Sequence, residues 1–128
     1  MFLAKAHKER DFVRRPCVAL ISLYQEMGRF DSYPFFEWVC PPDVGKVPIH
    51  VAAKFKKDGY RKGNFDMIII AADELDAVVH MIEFQYGSNG YTAEQKMVAD
   101  SSKGTPVFCV KIKSVDEFDA HLNKYFIK

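Results

Sequence analysis

Read for the spacing of its apolar side chains, the chain divides into short alternating segments. Val18, Leu20, Ile21, Tyr24 and Met27 recur at helical spacing. Pro16 suits a first helical turn and Gly28 a stop, so a helix is predicted over 15–27. A shorter helix over 2–13 precedes it, mixing charge with Phe2, Leu3, Ala6 and Phe12. The dense aromatics Tyr33, Phe35, Phe36 and Trp38 predict a strand over 32–39, followed by a Pro-rich loop over 40–45. A short helix over 48–57 opens on Pro48 and ends at Asp58-Gly59. The unbroken run Met67-Ile68-Ile69-Ile70 predicts a buried strand over 65–71. Asp73, Glu74 and Asp76 form a charged turn, and 77–84, rich in Val78, Val79 and Ile82, is the next strand. A loop over 87–90 follows. Thr92 caps a helix to 102 with Gln95 in the capping-box position. A strand spans 107–112. Ser114 caps a last helix, with Glu117 in the box position and Phe118, Leu122 and Tyr125 on one face.

That order predicts a small α/β (α+β) protein with a mixed central sheet flanked by helices. The 128 residues fit a single domain over 1–128, long enough for one core without staples. No repeat, low-complexity tract or linker suggests a boundary. The three cysteines, Cys17, Cys40 and Cys109, are odd in number and show no CxxC spacing. This argues against a disulfide framework or a cysteine-built zinc site; Cys17 and Cys109 sit in apolar runs and are expected to be buried. The chain opens without an apolar leader stretch and holds no membrane-length apolar run, so a cytoplasmic, intracellular protein with no membrane partner is expected.

The net charge of +1 is unevenly spread. Lys5, Lys8, Arg10, Arg14 and Arg15 crowd the start, and Lys54, Lys56, Lys57, Arg61 and Lys62 the middle. Clusters of this kind suit a phosphate backbone and give salt-sensitive, sequence-independent affinity; they equally describe a wet helix face. No base-reading motif accompanies them. The candidate nucleic-acid contacts are Lys54, Lys57, Arg61, Lys62, Arg14 and Arg15, with Tyr60 and Tyr91 available for base stacking.

Two carboxylates stand out. Asp66 opens an apolar strand and Glu83 lies near the end of the next. Acidic side chains are seldom buried unless paired or holding a metal, and two on adjacent strands can converge on a hard cation such as Mg²⁺. The alternative is that one or both face solvent. The histidines His7, His50, His80 and His121 do not pair at metal spacing, and His80 is offset to the face opposite Glu83. Neither a P-loop, a GxGxxG nor a nucleophile–base signature is present.

The stretch Lys57-Asp58-Gly59-Tyr60-Arg61-Lys62-Gly63-Asn64-Phe65-Asp66, running into Met67-Ile68-Ile69-Ile70, resembles the VRR-NUC signature, in which a helix and a G-x-x-x-G-x-x-D turn lead into a strand. Ile82-Glu83-Phe84-Gln85 is similar to the E-x-K of the following strand. Gly90-Tyr91-Thr92-Ala93-Glu94-Gln95 is similar to the glycine and capped helix, and Pro106-Val107-Phe108-Cys109-Val110 to the closing strand. The resemblance, to the PD-(D/E)XK nuclease superfamily, covers about half the chain, residues 49–112. It implies a restriction-endonuclease-like core and a metal-dependent DNA endonuclease. Asp66, Glu83 and the Phe84 backbone carbonyl would ligate Mg²⁺ or Mn²⁺, with Gln85 in the place of the lysine. Gln95 would orient water or phosphate, and Gly63 would allow a tight turn. The family's first-helix acid has Glu9 as its candidate, with Glu26 and Gln25 as other options. Stand-alone domains of this type resemble junction-resolving enzymes and are often homodimers, which implies branched DNA, Holliday junctions included, and a place in DNA repair. Gln85 is the departure: it can hydrogen-bond a water but brings no charge. A catalytically inactive nuclease-fold protein that binds nucleic acid or a protein partner is the alternative. A third reading, an α/β interaction protein with accidental motif matches, would put Asp66 and Glu83 far apart.

Overall fold

The computed structural model describes residues 8–41, 49–58, 65–87 and 91–127. The expected helix over 2–13 is described only from residue 8. There it is helical, widens into a π-helical segment over Arg10–Arg14, and continues without a break into α1 (Arg15–Glu26). Pro16 sits in the first turn of α1, where its missing N–H costs nothing. Gly28, at φ +74°, closes the helix. The Arg29 N–H donates to the Tyr24 carbonyl at 3.0 Å and the Gly28 N–H to Gln25 at 3.1 Å, the paired bonds of a Schellman cap.

The aromatic strand is shorter than expected: β1 is Phe35–Val39, because Arg29–Ser32 turn rather than extend. α2 spans Ile49–Lys57, β2 Met67–Ala72 and β3 Ala77–Phe84. α3 (Ala93–Ser102), β4 (Val107–Ile112) and α4 (Val115–Tyr125) complete the described elements. The loops expected over 40–45 and 87–90 are described only at Cys40, Pro41 and Gly87.

The architecture is mixed α+β. The four described strands lie in the order β1-β2-β3-β4; the first two pairings are antiparallel and β3 runs parallel to β4. The parallel pair needs a crossover, and α3 makes it. The β2–β3 turn is held by Asp73, whose carboxylate accepts the Leu75 and Asp76 N–H groups, both at 2.8 Å. No helix among the described residues is long and apolar enough to cross a membrane.

One face of the sheet carries the core. Met67, Ile69, Ala71, Ile82, Phe84 and Ile112 point from it toward Cys17 and Ile21 of α1 and Phe118 and Leu122 of α4, with Phe30 and Phe126 filling the ends. The apolar run of β2 therefore alternates: Ile68 and Ile70 are only partly covered on the other face. Phe36 stacks on Phe30 at 4.1 Å and joins that core, as Tyr33 and Trp38 do, while Phe35 and Val39 are exposed. Phe118 and Leu122 of α4 are buried as expected, but at its end the buried residue is the C-cap Phe126 rather than Tyr125. Glu117 reaches the Lys113 N–H at 2.8 Å, while the Ser114 hydroxyl accepts the Glu117 N–H. Cys17 is fully buried, and burial pushes its thiol up to about 12; Cys109 is only partly covered. All three cysteines are free.

Candidate functional site

Asp66 is the most informative residue in the chain. It stands one position before β2 and is only 5% exposed. One carboxylate oxygen, Oδ2, accepts the Phe84 N–H at 2.8 Å. The other, Oδ1, takes an Nη2–H of Arg14 in an ion pair. Arg14 extends from the π-helical segment and also reaches Glu9, Nε to Oε1, at 3.5 Å. Burial disfavours the guanidinium's charge, but Asp66 and then Glu9 outweigh it and raise its pKa. Its carbon lies 5.9 Å from the centre of the Phe84 ring. Arg14, expected to meet a DNA backbone, is instead turned inward between two carboxylates.

Among the first-helix acids, Glu9 is the one brought to this centre. Glu9 is 9% exposed, whereas Glu26 and Gln25 are exposed, and Gln25 accepts the Trp38 indole N–H at 3.0 Å. Cys40 belongs to the same neighbourhood. Burial raises its pKa, the charge of Arg14 lowers it and that of Asp66 raises it.

Glu83 sits near the end of β3. Met67 pairs with Ile82 in the antiparallel register; extended one step, that register sets position 66 beside position 83. Asp66, just outside β2, and Glu83 therefore occupy neighbouring backbone positions at one end of the sheet. Their surroundings differ. Asp66 pairs with Arg14, which also reaches Glu9, and its charge is felt by Cys40, while the charge of Glu83 is felt by Tyr91. No cluster of three His, Cys, Asp or Glu groups able to hold a metal ion occurs among the described residues. Phe84 presents its N–H to Asp66. Because the N–H and C=O of one strand residue point the same way, its carbonyl also faces β2.

Gln85 extends the β3–β4 ladder, its N–H donating to the Ile112 carbonyl at 2.9 Å. The residue is 6% exposed, and its Oε1 is buried without a hydrogen-bond partner among the described residues. Such an orphan acceptor costs about 1–3 kcal/mol. Gln95 is also buried, and its carbonyl oxygen closes the expected capping box by accepting the Thr92 N–H at 3.0 Å. Lys54 and Lys57 are exposed on α2, and Arg15 is exposed, 3.6 Å from Asp11. Tyr60, Arg61, Lys62, Gly63 and Gly90 lie outside the described residues.

Two features escaped the sequence reading. Lys111 is brought beside Glu83 by the parallel register. His80 and His121, far apart in sequence, meet in the core with Nδ1 and Nε2 2.7 Å apart, ringed by Phe108, Tyr125 and Phe126. Only strand pairing and helix docking bring either pair together, so local pattern carried no signal for them.

Compared with protein-family models, curated proteins and solved structures, the chain gives no match.

Proposed function

We propose that this chain is a metal-dependent DNA endonuclease with a PD-(D/E)XK core of the VRR-NUC kind, hydrolysing phosphodiester bonds in branched DNA such as four-way junctions. The observation that carries the reading is the β2–β3 register, which, extended one step beyond Met67 and Ile82, sets Asp66 beside Glu83 where β2 begins and β3 ends. The mixed sheet with its β3–α3–β4 crossover is consistent with that core.

The donor set suits a hard divalent cation. Asp66, Glu83 and the Phe84 carbonyl are all oxygen donors, which Mg²⁺ or Mn²⁺ prefers, and an ionised carboxylate retains lone pairs beyond the two that Asp66 uses here. Such a cation supplies Lewis acidity toward phosphate and water oxygens. The remaining work falls to the chain. The orphan Oε1 of Gln85 accepts a hydrogen from a water and so orients it. Gln95, buried at the start of α3, fixes that helix end through its capping box. Lys54, Lys57 and Arg15, with Arg61 and Lys62, hold the phosphate backbone by charge. A symmetric homodimer would offer two such sites to two strands.

A second reading has its own observation. Arg14 already bridges Asp66 and Glu9 and occupies the place beside Asp66 that a metal cation would take, which favours a nuclease fold that binds DNA or a protein without cutting.

The deciding experiment is cleavage of labelled single-stranded, duplex and four-way-junction DNA with Mg²⁺ or Mn²⁺, comparing wild type with Asp66→Asn and Glu83→Gln. Cleavage should need the metal and both carboxylates. If wild type cuts no substrate yet binds DNA in a salt-sensitive way, the second reading replaces the first.

A further inference from the structure

The proposed site lacks a cation where the family pattern has one, because position 85 holds a neutral amide. The neighbouring strand provides the missing charge. Lys111 of β4 is in register with Glu83 of β3. Phe84 and Ile112, the next residues along, both fill the core, so alternation directs Glu83 and Lys111 together to the opposite face. In-register neighbours on adjacent strands are about 4.8 Å apart, whereas positions i and i+2 on one strand are about 6.6 Å apart. By backbone position, Lys111 is nearer to Glu83 than residue 85 is.

The ammonium is held against an aromatic ring. Lys111 is partly buried, and its Nζ lies 4.3 Å from the centre of the Tyr91 ring, a cation–π contact. Tyr91 packs edge-on against Phe65, the residue before Asp66, at 5.4 Å between centres. Burial first, then the charges of Cys109 and Glu83, push the Tyr91 phenol up to about 12, so Glu83 is within electrostatic reach of the same ring. None of the ion pairs among the described residues involves Lys111. Lys103, by contrast, is 3.2 Å from Asp100.

We propose that Lys111 is a catalytic residue of the phosphodiesterase reaction, its ammonium contacting the scissile phosphate beside Glu83 in place of the lysine absent at position 85, with the Tyr91 ring as its positioning support. The assignment rests on the nuclease reading above.

The test uses the full chain with Mg²⁺ and the DNA substrate that wild type cuts fastest. Lys111→Met keeps the apolar stem on Tyr91 and removes the charge; Lys111→Gln is a second neutral variant should the first fold poorly by circular dichroism. Exposed Lys113→Met is the control. The neutral Lys111 variants should lose about 100-fold in kcat, the scale of removing one preorganised donor. Lys111→Arg should keep most of the activity, and Lys113→Met all of it. The decisive readout is rescue: adding Gln85→Lys to Lys111→Met should restore at least tenfold, which a merely structural role for Lys111 does not predict. If wild type cuts DNA and a folded neutral variant cuts within threefold of it, the Lys111 assignment falls and the nuclease reading stands. Failure of the rescue in a folded double variant overturns the assignment in the same way. If wild type cuts nothing, both fall.

Discussion

Replacing Asp66 by alanine removes a carboxylate that the fold itself uses, whatever its chemistry. The Phe84 N–H, now bonded to Oδ2 at 2.8 Å, becomes a buried donor without a partner, a loss of about 1–3 kcal/mol. Arg14 loses its closer carboxylate and keeps only Glu9 at 3.5 Å. Breaking a fully buried pair costs about 3–5 kcal/mol. The Arg14 side chain is 25% exposed and retains one partner, so the lower end of that range, shared with the amide term, is the better guide. Together these give about 3 kcal/mol for Asp66→Ala. In a domain of this size that is a fall of roughly 12 °C in Tm, at about 4 °C per kcal/mol. Asp66→Asn retains an oxygen for the Phe84 N–H and loses only the charge toward Arg14, so it should cost about half as much.

Urea unfolding without divalent metal, followed by the fluorescence of Trp38, the single tryptophan, measures both. Trp38 packs against the core and bonds to Gln25, so it reports on the sheet and α1 together. The midpoints should order wild type, Asn, Ala with an unchanged m-value. An alanine variant within 0.5 kcal/mol of wild type, or one equal to the asparagine variant, would refute the argument: Arg14–Asp66–Phe84 would then contribute nothing to the metal-free fold. The distinction governs the nuclease assay too. Lost cleavage in Asp66→Ala confounds chemistry with stability, whereas Asp66→Asn separates them.

Two other perturbations test the frame around the site. Thr92→Ala removes the hydroxyl that accepts the Gln95 N–H at 3.2 Å; it should lower stability by about 1 kcal/mol, read as a fall of some 4 °C in the melting midpoint, and an unchanged midpoint would show that the capping box does not hold α3. The His80–His121 pair should make the fold acid-sensitive. Burial, with the charge of His121 acting on His80 and of Lys124 on His121, lowers both from 6.5 to about 4. Above pH 6.5 folded and unfolded chains are both neutral at these positions, so the pair adds no pH dependence. As pH falls from 6.5 to 4 the unfolded chain takes up protons that the folded one refuses, and stability drops by at most about 1.4 kcal/mol per pH unit for each histidine. Urea midpoints between pH 7.5 and 4.5 should show that slope, and the double variant His80→Phe with His121→Leu should flatten its upper part. A wild-type midpoint constant down to pH 4.5 would contradict it.

The elements that could be read from sequence are those set by neighbours in the chain. Gly28 closes α1 because a left-handed residue is needed there, and Thr92 and Gln95 cap one another across a single turn. That positions 66 and 83 lie near one another was legible for a related reason: Asp66 directly precedes one apolar strand, Glu83 lies in the next, and a short turn between β2 and β3 fixes the register. What local pattern could not show is where long-range pairing directs a charge. Arg14 reads as one more cation of a basic stretch, and only the docking of the first helix against β2 turns it onto Asp66. The same holds with more consequence for lysine. An E-x-K pattern looks along one strand and finds Gln85 at its end. The sheet offers a second direction, across the strands, and its register follows from the α3 crossover rather than from residues near Glu83. A charge absent along a strand can stand on the strand beside it with no trace in the local pattern, as Lys111 does in register with Glu83.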